Sequence, residues 1–288
     1  MFYKQMRAVL LPIALSVPLI ALEPNLEKAQ DYYNHTDYQA AIAVLRSLPP
    51  RAETLELLGR CYLMNAEYKS ASETLEKAVA LDPGNSMTYT WLGRAEGRRA
   101  ETAMALGGIS HANKARQALE KAVQLDPANK EALDDLLDYY IQAPGFMGGG
   151  FDKAHRLLPL IEKVDPAEAY FAKGRMAEQK KDFDTAEAQF RRTVELAPNS
   201  VGRLLDLARF LAKRNRVDDS ERVFQQASRI APDAPRVLFA RAELWIQSNR
   251  NLKQARELLQ KYIGLNNLTP KDPQRTEALA LLKKAGGI

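Results

Sequence analysis

The sequence predicts an all-α chain: a solenoid of about seven helix–turn–helix repeats closed by a C-terminal helix. Three observations carry this. A pattern of small and apolar residues returns about every 34 residues, and prolines recur at a similar cadence. Within each half-unit, apolar residues fall at i, i+3, i+4 and i+7, which gives every helix one face to bury. Composition agrees with a folded chain. Of 288 residues, 46% are hydrophobic and 27% charged, which excludes a disordered, collagen-like or polytopic membrane protein. A single cysteine, Cys61, excludes an intramolecular disulfide framework and any cysteine-rich zinc module.

Residues 1–7 (MFYKQMR) are basic, and residues 8–22 (AVLLPIALSVPLIAL) carry no charge. A short basic stretch before an apolar run of this length is the pattern of a secretory signal. A spanning helix needs about 20 apolar residues, and Pro12 and Pro18 interrupt this run. The expectation is a signal peptide over 1–21 and an exported, periplasmic or otherwise extracytoplasmic protein. Ser16 and Ala21 are the alternative cleavage points. An uncleaved N-terminal anchor, or a first solenoid helix in a cytoplasmic protein, is the competing reading. Without Lys4 and Arg7 the net charge of +5 falls to +3, too small and dispersed to argue for nucleic acid.

From residue 22 the units follow in order, starting near 22, 52, 86, 130, 167, 201 and 236 and filling 22–269, with a capping helix in 270–288. Unit two reads Leu55-x-x-Leu58-Gly59-x-x-Tyr62, then Ala71-x-x-x-Leu75, Ala78 and Pro83. Unit three opens with Tyr89-x-x-Leu92-Gly93 and closes on ALEKAVQLDP (118–127), almost a copy of TLEKAVALDP (74–83). Later units carry Lys173-Gly174, Ala186, Phe190 and Pro198, then Leu207-Ala208, Ser220, Phe224, Ala227 and Pro232. The small residues let the two helices of a unit approach closely, and each proline ends the second helix by disfavouring helical geometry in the residue before it. These motifs resemble the tetratricopeptide repeat (TPR) family over nearly all of 22–288. The resemblance implies a right-handed TPR-type α-solenoid whose first helices line a concave groove.

Two units run long. The third carries about ten extra residues around 98–115, which predicts a prolonged first helix and a break at Gly107-Gly108. The fourth carries about five extra in QAPGFMGGGFDKA (142–154). Its glycines lack the preceding strand and the following Gly-Lys-Ser/Thr of a phosphate loop, so they read as a helix connector. Ser110 has no sheet to crown as a nucleophile elbow. His35, His111 and His155 show no metal spacing, and Cys61 beside Tyr62 reads as a small buried side chain. Glu131, Asp134 and Asp138 read as a polar helix face. The sequence therefore predicts no enzyme, no cofactor and no metal. An enzyme site around 98–115 and 142–154, or a helical-repeat RNA binder, are the rivals.

The resemblance implies that ligand contacts come from recurring first-helix positions. One is the residue after the small packing residue: Arg60, Arg94, Arg175 and Arg209, with Arg241 a fifth case. Met64, Met87, Phe171 and Leu205 occupy other groove-facing positions. Two consequences are open. Guanidinium forks facing the groove would take an acidic segment or a free C-terminal carboxylate of a protein or peptide partner. Alternatively, Asp138, between Arg94 and Arg175, neutralises its neighbours; Arg60 and Arg209 have no evident partner in sequence. The chaperone-tail clamp of some relatives uses Lys and Asn where this chain has Glu56, Arg60, Thr90 and Arg94. The implied function is a non-catalytic protein–protein interaction scaffold of the cell envelope.

Overall fold

The computed structural model describes residues 23–103 and 105–286, and every regular element among them is a helix. The basic and apolar segment read as a leader, with its cleavage points, lies outside the described residues. Seven antiparallel pairs follow one another. They are α1 (Glu23–Asn34) with α2 (Tyr38–Leu45), α3 (Ala52–Met64) with α4 (Tyr68–Leu81), and α5 (Ser86–Thr102) with α6 (Ala105–Leu125). Then come α7 (Lys130–Gln142) with α8 (Phe151–Val164), α9 (Pro166–Gln179) with α10 (Phe183–Leu196), α11 (Val201–Lys213) with α12 (Val217–Ile230), and α13 (Pro235–Gln247) with α14 (Leu252–Ile263). A last helix, α15 (Arg275–Lys284), packs on α13 and α14.

The joints are written by short polar residues. In the LDP segments, the carboxylates of Asp82 and Asp126 accept from the amides of Gly84 and Ala128, turning the chain after the second helix. Asn85, Asn129 and Asp165 then accept from the first amides of α5, α7 and α9, satisfying donors a helix start leaves free. Inside five of the units the first helix ends on a left-handed residue: Thr36, Ala66, Lys181, Asn215 and Asn249 all have φ between 52° and 62°. The next amide reaches back to a carbonyl in the last turn, as in Glu67 to Tyr62 at 2.9 Å and Arg216 to Leu211 at 2.9 Å. That Schellman-type closure fixes the hairpin angle.

The apolar interior is a string of local clusters. Leu45, Leu57, Leu58, Cys61 and Leu75 join units one and two; Leu133, Leu137 and Ile161 join units three to five; Tyr262, Leu259 and Leu282 close unit seven onto α15. No unit buries its faces alone, so stability runs along the array between neighbours. Within a unit the pair meets at its small residue. A Cβ on Gly59 would stand 2.5 Å from Leu75 Cγ, one on Gly93 2.6 Å from Leu119 Cγ, and one on Gly174 2.7 Å from the Phe190 ring.

The two insertions resolve differently. The expected break at Gly107-Gly108 does not occur: α5 stops at Thr102, and both glycines lie within α6. Their use is close approach, since a Cβ on Gly108 would meet the Ala100 carbonyl oxygen at 3.1 Å as α6 leaves alongside α5. In unit four a 3-10 turn, Gly145–Met147, connects α7 to α8 and holds Phe146 out at 80% exposure. The end of the chain also differs from a plain capping helix: residues 264–274 form an irregular strap before α15. Gly174→Ala is expected to cost about 1–3 kcal/mol, because Phe190 must leave a packed site. Chemical denaturation checks this, and Gly202→Ala, with open space around its Cβ, is the control that should cost little.

Candidate peptide-binding groove

The first helices face a common hollow, which the strap makes visible. Pro270 borders a cavity of about 700 Å³ with Leu63 and Met64 of α3, Trp91, Arg94 and Arg98 of α5, and Asp135, Asp138 and Tyr139 of α7. Lys271 and Pro273 border a second, of about 490 Å³, with Lys130 of α7, Arg203, Asp206 and Arg209 of α11, and Arg236 of α13. The first is walled mainly by apolar and aromatic surface. The second has five cationic side chains and two carboxylates, Asp165 and Asp206, on its wall. It opens where α9 and α11, unlike the other consecutive first helices, do not bring their backbones into contact.

Each arginine of the row is placed by its neighbour. The small residue points into the hairpin, and the next residue, turned about 100° around the helix, points inward. Arg60 lies between the rings of Tyr33 and Trp91, 4.6 and 4.9 Å from their centroids, with Glu56 at 3.6 Å. Arg94 also stacks on Trp91, at 4.5 Å, and donates to Asp135 at 2.6 Å and Glu131 at 2.7 Å. Burial works against its charge, but Asp135 and Glu131 more than reverse this and raise its pKa. Arg175 donates to Asp138, and burial lowers its pKa. Arg209 reaches Glu243 at 3.2 Å and Asp206 at 3.7 Å, and is the most exposed of the row at 37%. Arg241 pairs with Glu221 and stacks over Trp245 at 4.8 Å.

These contacts correct two sequence readings. Arg94 does not share Asp138 with Arg175; Glu131 and Asp135, four apart on one stripe of α7, both reach its guanidinium. Arg60 and Arg209, the less obviously paired members of the row in sequence, are paired as well. Phe171 is half-buried, with Phe190 5.5 Å away and the Arg203 guanidinium 3.7 Å above its ring. Arg203 also pairs with Glu168, which is buried beside Lys130, so it bridges the gap between α9 and α11. Met64 and Leu205 line the first and second cavities respectively, while Met87 lies on a separate depression near Gly84 and Asn129.

Several residues the sequence singled out lie elsewhere. The amides of 147–150 are already used: Met147 and Gly149 donate to Pro144, Gly148 to Gly145 and Gly150 to Tyr140, so the glycine run makes no cradle of free donors. Cys61 is buried, and burial pushes its thiol up to about 12. His35 bonds the Asp31 carbonyl at 2.9 Å and His155 is exposed. His111 belongs to a cluster that sequence reasoning missed. Glu96, 1% exposed, accepts from Ser72 and lies 2.6 Å from His111 and 3.2 Å from Arg99. Four polar groups pin the start of α6 to units two and three; a glutamate on an otherwise apolar helix face is the only signal of it in sequence. Among the described residues, no group of three or more His, Cys, Asp or Glu side chains is arranged to hold a metal ion, and no helix is long and apolar enough to cross a membrane.

Two family models, both described as tetratricopeptide repeat, match the chain, one over 176–244 and the other over 26–86 and 148–201, together more than half its length. The chain belongs to the tetratricopeptide repeat family. Among solved structures it is similar to a TPR protein from Parabacteroides merdae, at 14% identity and a TM-score of 0.59, covering 93% of this chain and 99% of that one. It is also similar to a thermophilic TPR protein of Thermus thermophilus, at 21% identity and a TM-score of 0.53, covering 66% of this chain and 98% of that one. At these identities the likeness establishes the fold alone. No curated protein matches the sequence.

One group sets a pH dependence. Burial, with Glu168 beside it, pushes Asp134 up to about 7 against the opposing pull of Arg203 and Lys130. Between its ordinary 3.8 and 7 the folded chain keeps a proton that the unfolded chain has released. The site's contribution to stability is therefore present at low pH and lost as pH rises through that window. Asp134→Asn is expected to raise the melting temperature at pH 8 relative to the parent while changing it little at pH 4; a scan of melting temperature against pH reads this directly.

Proposed function

We propose that the chain is a non-catalytic scaffold of the cell envelope that binds an extended segment of a partner protein along its concave face. Family membership supports protein binding in general. The observation that carries the finer reading is the pair of hollows on one face. An apolar side chain of the partner seats against Trp91, Met64 and Tyr139, and an acidic residue or C-terminal carboxylate enters the cation-lined hollow. Within the arginine row the carboxylate contact falls to Arg209, which lines that hollow, is the most exposed and holds its own carboxylates at 3.2 and 3.7 Å. Arg60 and Arg94 are held by stacking and closer burial and act as walls of the groove. Envelope location rests on residues 1–22, with their basic start and uncharged apolar run.

Partner capture from the envelope fraction, followed by affinity measurement on variants, tests this. A charge-assisted hydrogen bond is worth about 1.5–3 kcal/mol where desolvated, so Arg209→Ala should weaken the complex about ten-fold with little loss of stability. Added salt should weaken the parent complex, since partly exposed charges are screened. Binding of Arg209→Ala equal to the parent, with loss on editing the 142–154 connector, would place recognition outside the groove. N-terminal sequencing of the mature protein should show a start near residues 17–22; a full-length start in the cytosolic fraction would contradict export.

A further inference from the structure

The strap before α15 does something no repeat requires. It reaches across the array to the opposite end. Gln274 donates its side-chain amide to the Met64 carbonyl at 3.1 Å, and Arg275 donates to the Thr36 hydroxyl at 3.1 Å, partners more than 200 residues away. Leu268, Thr269 and residues 272–276 wall a small cavity with Thr36, Tyr38, Met64 and Asn65 of units one and two. Pro270 borders the apolar hollow, and Lys271 and Pro273 border the cation-lined one. One short segment therefore lies along all three cavities of the inner face. Pro270 and Pro273 keep it from continuing as helix, and a turn at 269–272 aims it along the inner face.

Its fastenings are unequal. On its own side the strap is preformed. Leu268 is 3% exposed among Leu238, Phe239 and Tyr262, and Asp272 accepts from Thr269 at 2.9 and 2.8 Å. Arg236 holds the Lys271 carbonyl at 2.6 Å, Tyr262 holds that of Pro273, and Arg275 holds that of Leu265 at 2.6 Å. On the far side two hydrogen bonds hold it. Opening would break those two and leave the strap's own shape intact.

We propose that residues 268–275 form a displaceable clasp: they fasten the last unit to the first two and occupy the line that a partner's extended segment takes between the apolar and the cation-lined hollows. Partner binding then opens the ring. A tethered occupant competes at an effective concentration on the order of millimolar, so the clasp rejects weak segments and admits those that fill both hollows. This rests on the groove reading above, and the experiment separates the two.

Thr36→Gly with Gln274→Glu removes both far-side donor–acceptor pairs, while the glutamate oxygen keeps the acceptor that caps the start of α15. Glycine suits the φ of 62° at position 36, and the strap's own contacts stay. In the full chain, spin labels at Asp31→Cys and Lys283→Cys, with native Cys61 buried and unlabelled, should give one narrow distance. The double variant should give a broad, longer distribution. A synthetic peptide of residues 265–276, titrated into both, should bind the double variant about ten-fold more tightly than the parent. An unchanged distance distribution, or equal peptide affinity in the two proteins, overturns the clasp. If the clasp fails while envelope-partner binding still depends on Arg209, the groove reading stands without it; peptide binding to the open variant that is indifferent to Arg209→Ala removes the shared path.

Discussion

Everything in this structure depends on how closely the two helices of a unit approach. Where Gly59, Gly93 and Gly174 meet Leu75, Leu119 and Phe190, there is no room for a single added carbon. That contact fixes the distance within the pair, and in five of the seven units a left-handed turn residue after the first helix fixes its angle. Similar pairs stacked at a near-constant offset must then curve, which puts the first helices inside and the second outside. The hollow is thus a consequence of hairpin packing and needs no dedicated residues to form.

The same contact determines what lines the hollow. Since the small residue is committed to the hairpin, its successor is presented inward, and in this chain that successor is repeatedly arginine. An unbroken row of such charges would repel itself along the array. The carboxylates of Glu131, Asp135, Asp138, Glu168, Asp206 and Glu243 on the first helices, and the rings of Tyr33, Trp91 and Phe171, absorb most of that field. Individually such half-exposed pairs add little stability. Collectively they set register between units and leave uneven compensation. Tight pairing around Arg94 makes a wall, while looser pairing around Arg209, at the splay between α9 and α11, leaves room for a ligand.

Much of this was legible in the sequence, because helical periodicity and proline cadence are local signals. The all-α solenoid and the close approach at Gly59, Gly93 and Gly174 could be read from spacing alone. The placing of the arginines on the inner face came from the resemblance to the repeat family, applied to the residue after each small glycine or alanine. Their partners did not, because Glu131 and Asp135 face Arg94 only after two units have stacked. Gly107 and Gly108 misled for a related reason: a glycine pair looks the same whether it ends a helix or lets one pass a neighbouring carbonyl. The reach of Gln274 to Met64 was invisible, since it depends on the summed curvature of seven pairs. Glu96, buried with Ser72, Arg99 and His111, shows the same limit at shorter range.

Under the proposed function, the inner face from Trp91 to Arg209 is where a partner segment lies. A crystal structure of the chain with the segment captured from the envelope fraction tests that most directly. The predicted result is an extended chain along the first helices, with an apolar side chain against Trp91 and Tyr139, a carboxylate on Arg209, and residues 268–275 moved off Met64 and Thr36. A partner seated on the second helices or around Phe146, with the strap undisturbed, would contradict it.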